Sequence, residues 1–158
     1  MKRRSFRPFT ALLAAVVCLA GCSSVHVIET SMAANVAGFH PADPNKPEDG
    51  GTITLRYINE SVASLGFSNA EHKLYLDGTL VAEIANDQPF GIVTVSEITR
   101  DLPVHFTNPA YVRQLAGGSS PVVHYRLETK LHQRIENDRN DMNLTAEGSL
   151  DLRGTPAQ

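Results

Sequence analysis

The chain has 158 residues, enough for one domain of ordinary size and too few for two. Its 42% hydrophobic, 20% charged and 6% aromatic residues are near globular averages, which disfavours a disordered chain, a collagen-like repeat and a multi-span membrane protein. All seventeen acidic residues follow Cys22, together with ten of the fourteen basic ones, so this part carries a net charge of −7. That acidity disfavours a nucleic-acid partner.

Residues 1–21 have the layout of a secretory signal peptide. Four basic residues precede an apolar stretch over residues 9–20, which as a helix would reach only about 18 Å, short of the roughly 30 Å hydrocarbon core of a bilayer. Residues 19–22 then read Leu-Ala-Gly-Cys, which resembles the lipobox of bacterial lipoproteins. The resemblance implies that Cys22 is lipidated and begins the mature chain, with several acyl chains as a stable anchor. An ordinary soluble secretory signal with an incidental cysteine is the alternative.

The residues around Cys22 also bear on location. The two that follow it are serines, not the aspartate that in enteric-type sorting holds lipoproteins at the inner membrane. We therefore expect an anchor in the inner leaflet of the outer membrane, with the domain facing the periplasm. Cys18 leaves with the signal, so the mature chain forms no internal disulfide and depends on its hydrophobic core.

Residues 22–51 show little regular pattern. Residues 25–28 are apolar and suit a first strand, but the continuation over residues 30–37 equally suits a linker. Residues 40–51 contain three prolines and two glycines, which predicts a loop that no helix or strand crosses.

From residue 52 onward the alternation of apolar and polar residues predicts β-strands. Residues 52–59 place Ile53, Leu55 and Tyr57 on one face. Asp77-Gly78 separates two apolar segments, residues 72–76 and 79–84, and predicts a hairpin because this dipeptide tolerates the positive φ angles of a type I′ turn.

The following segment reads as further strand. Residues 92–98 are β-branched and apolar on both faces, and positions 102, 104 and 106 alternate again. Pro103 marks a strand edge, because proline cannot donate to a sheet ladder.

One short helix is predicted after these strands. Asn108 suits an N-cap, Pro109 the first helical position, and two glycines at 117 and 118 the end. The apolar stripe of the segment consists of Tyr111, Val112 and Leu115. At about two turns the helix needs this stripe to pack on the β core, so we expect it to plug one end of the fold, with Leu115 buried and Arg113 a neutral surface position.

The last two segments alternate longest, over residues 123–132 and 142–153, joined by residues 135–141 as antiparallel neighbours. A period of two held this long excludes helix. Seven or so strands with one short α-helix predict an all-β fold, an antiparallel β-sandwich over residues 52–153.

The order of these features resembles a known family. A strand ending in Asn59, a Leu-Tyr-Leu-Asp-Gly hairpin, an apolar strand, a short helix and two long strands ending in Glu-Gly-Ser-Leu-Asp-Leu are similar to the late-embryogenesis-abundant (LEA) type 2 domain, also called the water stress and hypersensitive response (WHy) domain, in its bacterial lipoprotein form. The resemblance covers roughly residues 52–152, with a start at Val25 as the alternative. It implies an immunoglobulin- or fibronectin-like sandwich, a link to desiccation stress and no established enzymatic activity. Members usually carry Asn-Pro-Asn after the first clear strand, whereas this chain has Asn-Glu-Ser, which puts the turn geometry in question.

The sequence offers little catalytic chemistry. It has no Gly-rich phosphate loop, Gly-x-Ser-x-Gly elbow or His-Glu-x-x-His. Its six histidines lack metal-ligand spacing and are predicted to be surface residues, with His105, His124 and His132 on solvent faces. Residues 138–143 superficially resemble a calcium loop but lack its glycine and distal glutamate, so a polar hairpin loop is the better interpretation. We expect no catalytic residue, no metal and no cofactor.

One charged row is a candidate partner surface. It consists of Arg126, Glu128 and Lys130, expected to face Glu147, Asp151 and Arg153. The alternative, which we favour, is a solvated sheet face with weak cross-strand pairs.

Two functions fit these features. The first is a non-enzymatic envelope lipoprotein whose sandwich binds a partner or protects envelope components under water stress. The second is an accessory or assembly subunit of an envelope complex that docks through a sheet edge. A hydrolase with an unrecognised site is disfavoured.

Overall fold

The computed structural model describes residues 31–135 and 138–154, with the side chains of residues 134, 135, 138 and 139 left aside. This part of the chain contains nine strands, one α-helix and one 3-10 helix. In chain order they are β1 (Met32–Pro41), the 3-10 helix (Pro47–Asp49), β2 (Gly51–Asn59), β3 (Leu65–Phe67), β4 (Asn69–Leu76), β5 (Thr79–Asn86), β6 (Phe90–Ile92), β7 (Ser96–Val104), α1 (Pro109–Ala116), β8 (Val122–Ile135) and β9 (Asp138–Asp151).

The strands form an antiparallel β-sandwich, which confirms the predicted fold class. One sheet has the order β1-β2-β7 and the other β5-β4-β8-β9, while β3 and β6 pair separately. β1 also packs against β9 of the opposite sheet. The helices among the described residues are too short to cross a membrane.

The core lies between the two sheets and follows the alternation in the sequence. Ile53, Leu55 and Tyr57 of β2 are fully buried, as predicted from their shared face. Leu74 and Leu76 of β4 face them from the other sheet, with further core residues from β8 and β9. The core residues of β8 and β9 are Val123, Tyr125, Leu127, Leu131 and Leu150.

The β4–β5 hairpin has the predicted turn. Asp77 and Gly78 have φ angles of 44° and 81°, the positive values that both central residues of a type I′ turn require. This turn lies at the same end of the sandwich as α1, because the Tyr111 hydroxyl donates to the carbonyl of Leu76 (3.4 Å). We call it the helix end.

The predictions for residues 22–51 were partly wrong. Residues 25–28 lie outside the described residues, and the first described strand is β1, which covers most of the segment left open as a linker. The predicted loop over 40–51 is shorter than expected, because β1 runs to Pro41, β2 starts at Gly51 and a 3-10 helix lies between them. β1 and β2 pair from Met32 opposite Asn59 to Pro41 opposite Gly51.

The prediction of one strand over residues 92–98 was also wrong. β6 ends at Ile92 and β7 begins at Ser96, and the residues between them form an exposed turn. The carbonyls of Ile92 and Val93 accept hydrogen bonds from the side chain of Asn59 at 3.3 and 3.0 Å. These bonds satisfy the backbone at the point where the chain turns. Pro103 lies in β7 at the open edge of its sheet, as predicted.

The β8–β9 hairpin is longer than the alternation indicated. Pairing extends to Ile135 opposite Asp138, so most of the predicted connection over 135–141 is strand. The same holds for residues 138–143, which are the start of β9 and not a polar loop. The polar side chains of these residues gave no alternating pattern, so the strand was not predicted. Strand pairing needs only backbone N–H and C=O groups and is therefore compatible with polar side chains.

α1 has the predicted limits. Asn108 caps it by accepting a hydrogen bond from the Tyr111 N–H (3.2 Å), and Pro109 is its first residue. The apolar stripe of α1 packs on the core, but Leu115 is less deeply buried than predicted. Val112 is fully buried, whereas Tyr111 and Leu115 are only partly buried.

Candidate functional site

Cys22, the predicted lipidation site, lies outside the described residues. The first described residue is Ser31, whose carbonyl accepts a hydrogen bond from the Glu60 N–H (3.0 Å). The chain therefore enters the domain where β2 ends, at the opposite end of the sandwich from α1. We call this the Asn59 end.

The buried side chain of Asn59 organises this end. Its Nδ2 donates to the carbonyl of Ala63 (2.8 Å) as well as to those at the end of β6, and its Oδ1 accepts from the N–H and the hydroxyl of Ser61 at 3.0 and 2.6 Å. Because Asn59 is fully buried, water cannot reach its amide group. These hydrogen bonds therefore satisfy the amide within the protein. The Asn-Glu-Ser sequence thus closes the turn through Asn59 and Ser61, which answers the question raised by the missing Asn-Pro-Asn. The sequence marked Asn59 as a strand end but did not reveal its reach to β6.

A second set of polar side chains, Tyr57, His72 and Thr129, connects the two sheets through the core. His72 Nε2 lies 2.9 Å from the Tyr57 hydroxyl, and its Nδ1 lies 2.9 Å from Thr129 Oγ1. Burial lowers the pKa of His72 to about 4 and raises the pKa of Tyr57 to about 12. His72 is therefore neutral and Tyr57 protonated at neutral pH. Shifted pKa values often mark active sites, but these side chains are enclosed between the sheets and no substrate can reach them. Their hydrogen bonds join the two sheets.

The prediction that the histidines are surface residues was wrong at two positions. His72, in β4, faces the core between the two sheets, where it lies close to Tyr57 and Thr129. His132 lies on the outer face of β8, as its position in the alternation indicates, but it is only 2% exposed. Carboxylates from both neighbouring strands cover it, with Asp141 Oδ1 2.7 Å from Nδ1 and Glu71 Oε1 3.3 Å from Nε2. His40, His105 and His124 are exposed, and His26 lies outside the described residues. Among the described side chains, no three His, Cys, Asp or Glu are grouped as a metal site.

The predicted charged row lies on the outer face of the four-stranded sheet. Arg126 binds Glu128 of the same strand (2.6 Å) and stacks over the Tyr75 ring at 4.2 Å, while Lys130 binds Asp141 (2.9 Å). A shallow depression of about 390 Å³ beside them is lined by charges of both signs. These charges neutralise one another locally, which is typical of a solvated sheet face.

The opposing row differs from the prediction. Glu147 does lie opposite Arg126, but Asp151 lies opposite Val122. Arg153 follows the end of β9 and donates to the carbonyl of Ala116 (3.1 Å). The predicted six-residue surface is therefore not one row, because its last members belong to the helix end.

The helix end contains an ion pair that the sequence did not reveal. Arg113 Nε lies 2.6 Å from Oε1 of Glu48, a residue of the 3-10 helix that is only 7% exposed. The hydrogen bond from Arg113 lowers the pKa of Glu48. Arg113 is exposed, as predicted, but it also pairs with Glu48, and the small effect expected for its replacement stays a prediction.

The described residues together define a class of protein: an antiparallel β-sandwich with one capped helix at one end and a buried asparagine at the other. Among solved structures, the chain is similar to AT1g01470 from Arabidopsis thaliana, with 12% identity, a TM-score of 0.57, and coverage of 84% of this chain and 88% of that one. It is also similar to a structure described as a "putative late embryogenesis abundant (LEA) protein", At2g46140.1, with 16% identity, a TM-score of 0.51, and coverage of 80% and 72%. The chain therefore has an LEA-type fold, as the resemblance implied. No family model and no curated protein sequence matches it.

Proposed function

We propose that the chain is a lipid-anchored envelope protein whose β-sandwich has a non-enzymatic, water-stress-related role in binding or protecting envelope components. The observation that carries this proposal is the Leu-Ala-Gly-Cys sequence at residues 19–22, directly upstream of a domain with an LEA-type fold. The description of At2g46140.1 as an LEA protein supports the link to stress. The two serines after Cys22 support the inner leaflet of the outer membrane as the site of anchoring.

The alternative role, a subunit that docks by strand addition, has less support. The two main sheets have four edge strands, β1, β5, β7 and β9, and β1 and β9 contact each other. β7 carries Pro103 and exposed charges at Glu97, Arg100 and Asp101. Proline and charges at an edge oppose pairing with another strand. We therefore favour a role for the domain that leaves this edge unpaired.

Mass spectrometry of the full chain expressed in its native host tests the anchor. We expect the mature N-terminal peptide to begin at Cys22 with a diacylglyceryl thioether. Cys22→Ser removes the sulfur that forms this bond and should give an unprocessed or soluble form. A processed Cys22→Ser protein that still fractionates with membranes would show that the lipoprotein interpretation is wrong.

The stress role needs a separate test. Cells that lack the protein are dried and rewetted beside cells that carry the wild-type chain or Cys22→Ser. Reduced survival of the first, restored by the wild type, supports a protective role. A stoichiometric partner captured equally with and without dehydration, together with unchanged survival, would favour the subunit role.

A further inference from the structure

Exposed apolar side chains are concentrated at the Asn59 end. Val62 is 85% exposed on the loop over residues 60–64, and Val93 and Val95 are 65% and 73% exposed on the turn over residues 93–95. Among the described residues, only Leu80 and Val122 are other large hydrophobic side chains with substantial exposure, and both lie towards the helix end. We call the loop over residues 60–64 and the turn over residues 93–95 the valine loops.

The valine loops form one supported surface. The Asn59 side chain binds carbonyls in both of them, at Ala63 and Val93, and the Val95 N–H donates to the Ser61 carbonyl (3.3 Å). The Ser61 hydroxyl oxygen also accepts from the Ala63 N–H (3.4 Å). These bonds hold the two loops beside each other, so their valines are presented together.

The backbone conformation of Val95 is unfavourable for a valine. Its φ angle is 48°, in the left-handed region that β-branched residues rarely adopt. Glycine or asparagine would form this turn with less strain. Stability of the domain alone therefore does not explain a valine that is both strained and exposed, whereas an apolar contact outside the domain does.

The chain enters the domain beside this surface, which bears on what the surface meets if Cys22 is lipidated. The Ser31 carbonyl accepts a hydrogen bond from the N–H of Glu60, two residues before Val62 in the sequence. The nine Cα–Cα steps from Cys22 to Ser31 span at most about 32 Å in any conformation. The helix end lies a further 27 Å or so away, the length of the nine residues of β2. A lipid on Cys22 therefore tethers the valine loops within about 32 Å of the bilayer, whereas the helix end can lie up to about 27 Å farther away.

We infer that the valine loops dock on the phospholipid bilayer, with Val62, Val93 and Val95 inserted at the boundary between headgroups and acyl chains. This inference rests on the proposed lipid anchor, which supplies a high local concentration of bilayer, so that a small apolar contact is sufficient. Glu60 and Glu97 are exposed near the same end and disfavour anionic headgroups. A surface rich in phosphatidylethanolamine fits better, and the contact should be insensitive to salt because it is apolar.

The absence of tryptophan from the chain allows a direct test. Val93→Trp and Val62→Trp each introduce a single indole at the valine loops, and Val122→Trp introduces one at the helix end, at a valine that is 50% exposed. The full-length lipidated variants are reconstituted into vesicles of phosphatidylethanolamine with a minor fraction of phosphatidylglycerol, with or without brominated acyl chains. Circular dichroism checks that each variant is folded.

Docking predicts a blue-shifted emission and a loss of fluorescence with brominated lipid for Val93→Trp and Val62→Trp, at low and high salt alike. Val122→Trp should show neither, and it controls for the affinity of tryptophan itself for membranes. Equal quenching at all three positions, or none at the valine loops of folded, vesicle-bound protein, would overturn the inference. A blue shift in native membranes but not in protein-free vesicles would also overturn it and would favour a protein partner.

The result is separable from the anchor. If mass spectrometry shows no lipid on Cys22 and the protein does not bind vesicles, the proposed function has failed. If Cys22 is lipidated and the protein binds vesicles, the fluorescence result decides the inference alone.

Discussion

The buried histidine of β4 should make the stability of the domain depend on pH. His72 has a pKa of about 4 in the folded protein because burial disfavours its charged form, against 6.5 for an ordinary histidine. The unfolded chain therefore binds a proton in this range that the folded protein does not. The resulting stability is fully present above pH 6.5 and is lost as the pH falls towards 4.

The size of the effect follows from these two values. Between pH 7.5 and 5.5 the free energy of unfolding should fall by about 1.3 kcal/mol through His72 alone, and by about 3 kcal/mol once the pH is below 4. The interval above pH 5.5 is the cleaner one, because most carboxylates remain ionised there.

Urea denaturation of wild-type protein and His72→Gln at pH 7.5 and 5.5 measures this. Glutamine does not titrate but still offers hydrogen bonds to Tyr57 and Thr129, and the pH dependence, not the absolute stability, is the readout. We expect the variant to lose about 1.3 kcal/mol less than the wild type on acidification. His124→Gln, at an exposed histidine, is the matched control. Equal pH dependence in His72→Gln and the wild type would refute the reasoning.

Two further predictions concern packing. Val112→Ala should lower the free energy of unfolding by about 2 kcal/mol, because two buried methyl groups and their contacts are lost. Leu115→Ala should lower it by less, although it removes one more carbon, because Leu115 is only partly buried. Denaturant melts compare the two, and a larger loss for Leu115 would contradict the observed depth of the helix. Gly148→Ala should also destabilise the fold, since its new Cβ would lie 2.8 Å from the ring of Tyr125, whereas Gly66→Ala meets no neighbouring atom. A thermal melt of both separates the clash from the general effect of replacing glycine, and equal melting temperatures would argue against the clash.

Local patterns in the sequence were sufficient for much of the fold. The alternation in β2 and β8, the Asp77-Gly78 turn and the Asn108 cap each depend on residues that are neighbours in the chain. Such elements can be predicted because the same few residues supply both the pattern and the physical cause. The LEA-type fold was predicted from the order of these elements.

The features that were missed depend on distant parts of the chain. β1 contains alanine, glycine and asparagine without clear alternation, and it is a strand because β2 supplies its ladder and the Tyr125 hydroxyl accepts from Val36 N–H (3.2 Å). His132 is buried because carboxylates from two other strands cover it. The break after β6 likewise depends on the side chain of Asn59. Each of these features depends on contacts between residues far apart in the sequence, so the local pattern of residues does not predict it.

The two ends of the sandwich close in opposite ways, and this difference bears on the proposed docking of the domain on a bilayer. At the helix end, Val112 and Ala116 of α1 are buried in the core, and the exposed Arg113 on the outer side of the helix binds the buried carboxylate of Glu48. At the Asn59 end, the inward group is a polar amide and the outward groups are valines. At such an end the polar side chain forms hydrogen bonds with backbone carbonyls, and apolar side chains are exposed. This arrangement is suited to an apolar neighbour. Since the chain leaves the domain towards Cys22 at this same end, the closure of the fold and the position of the proposed anchor favour the same orientation.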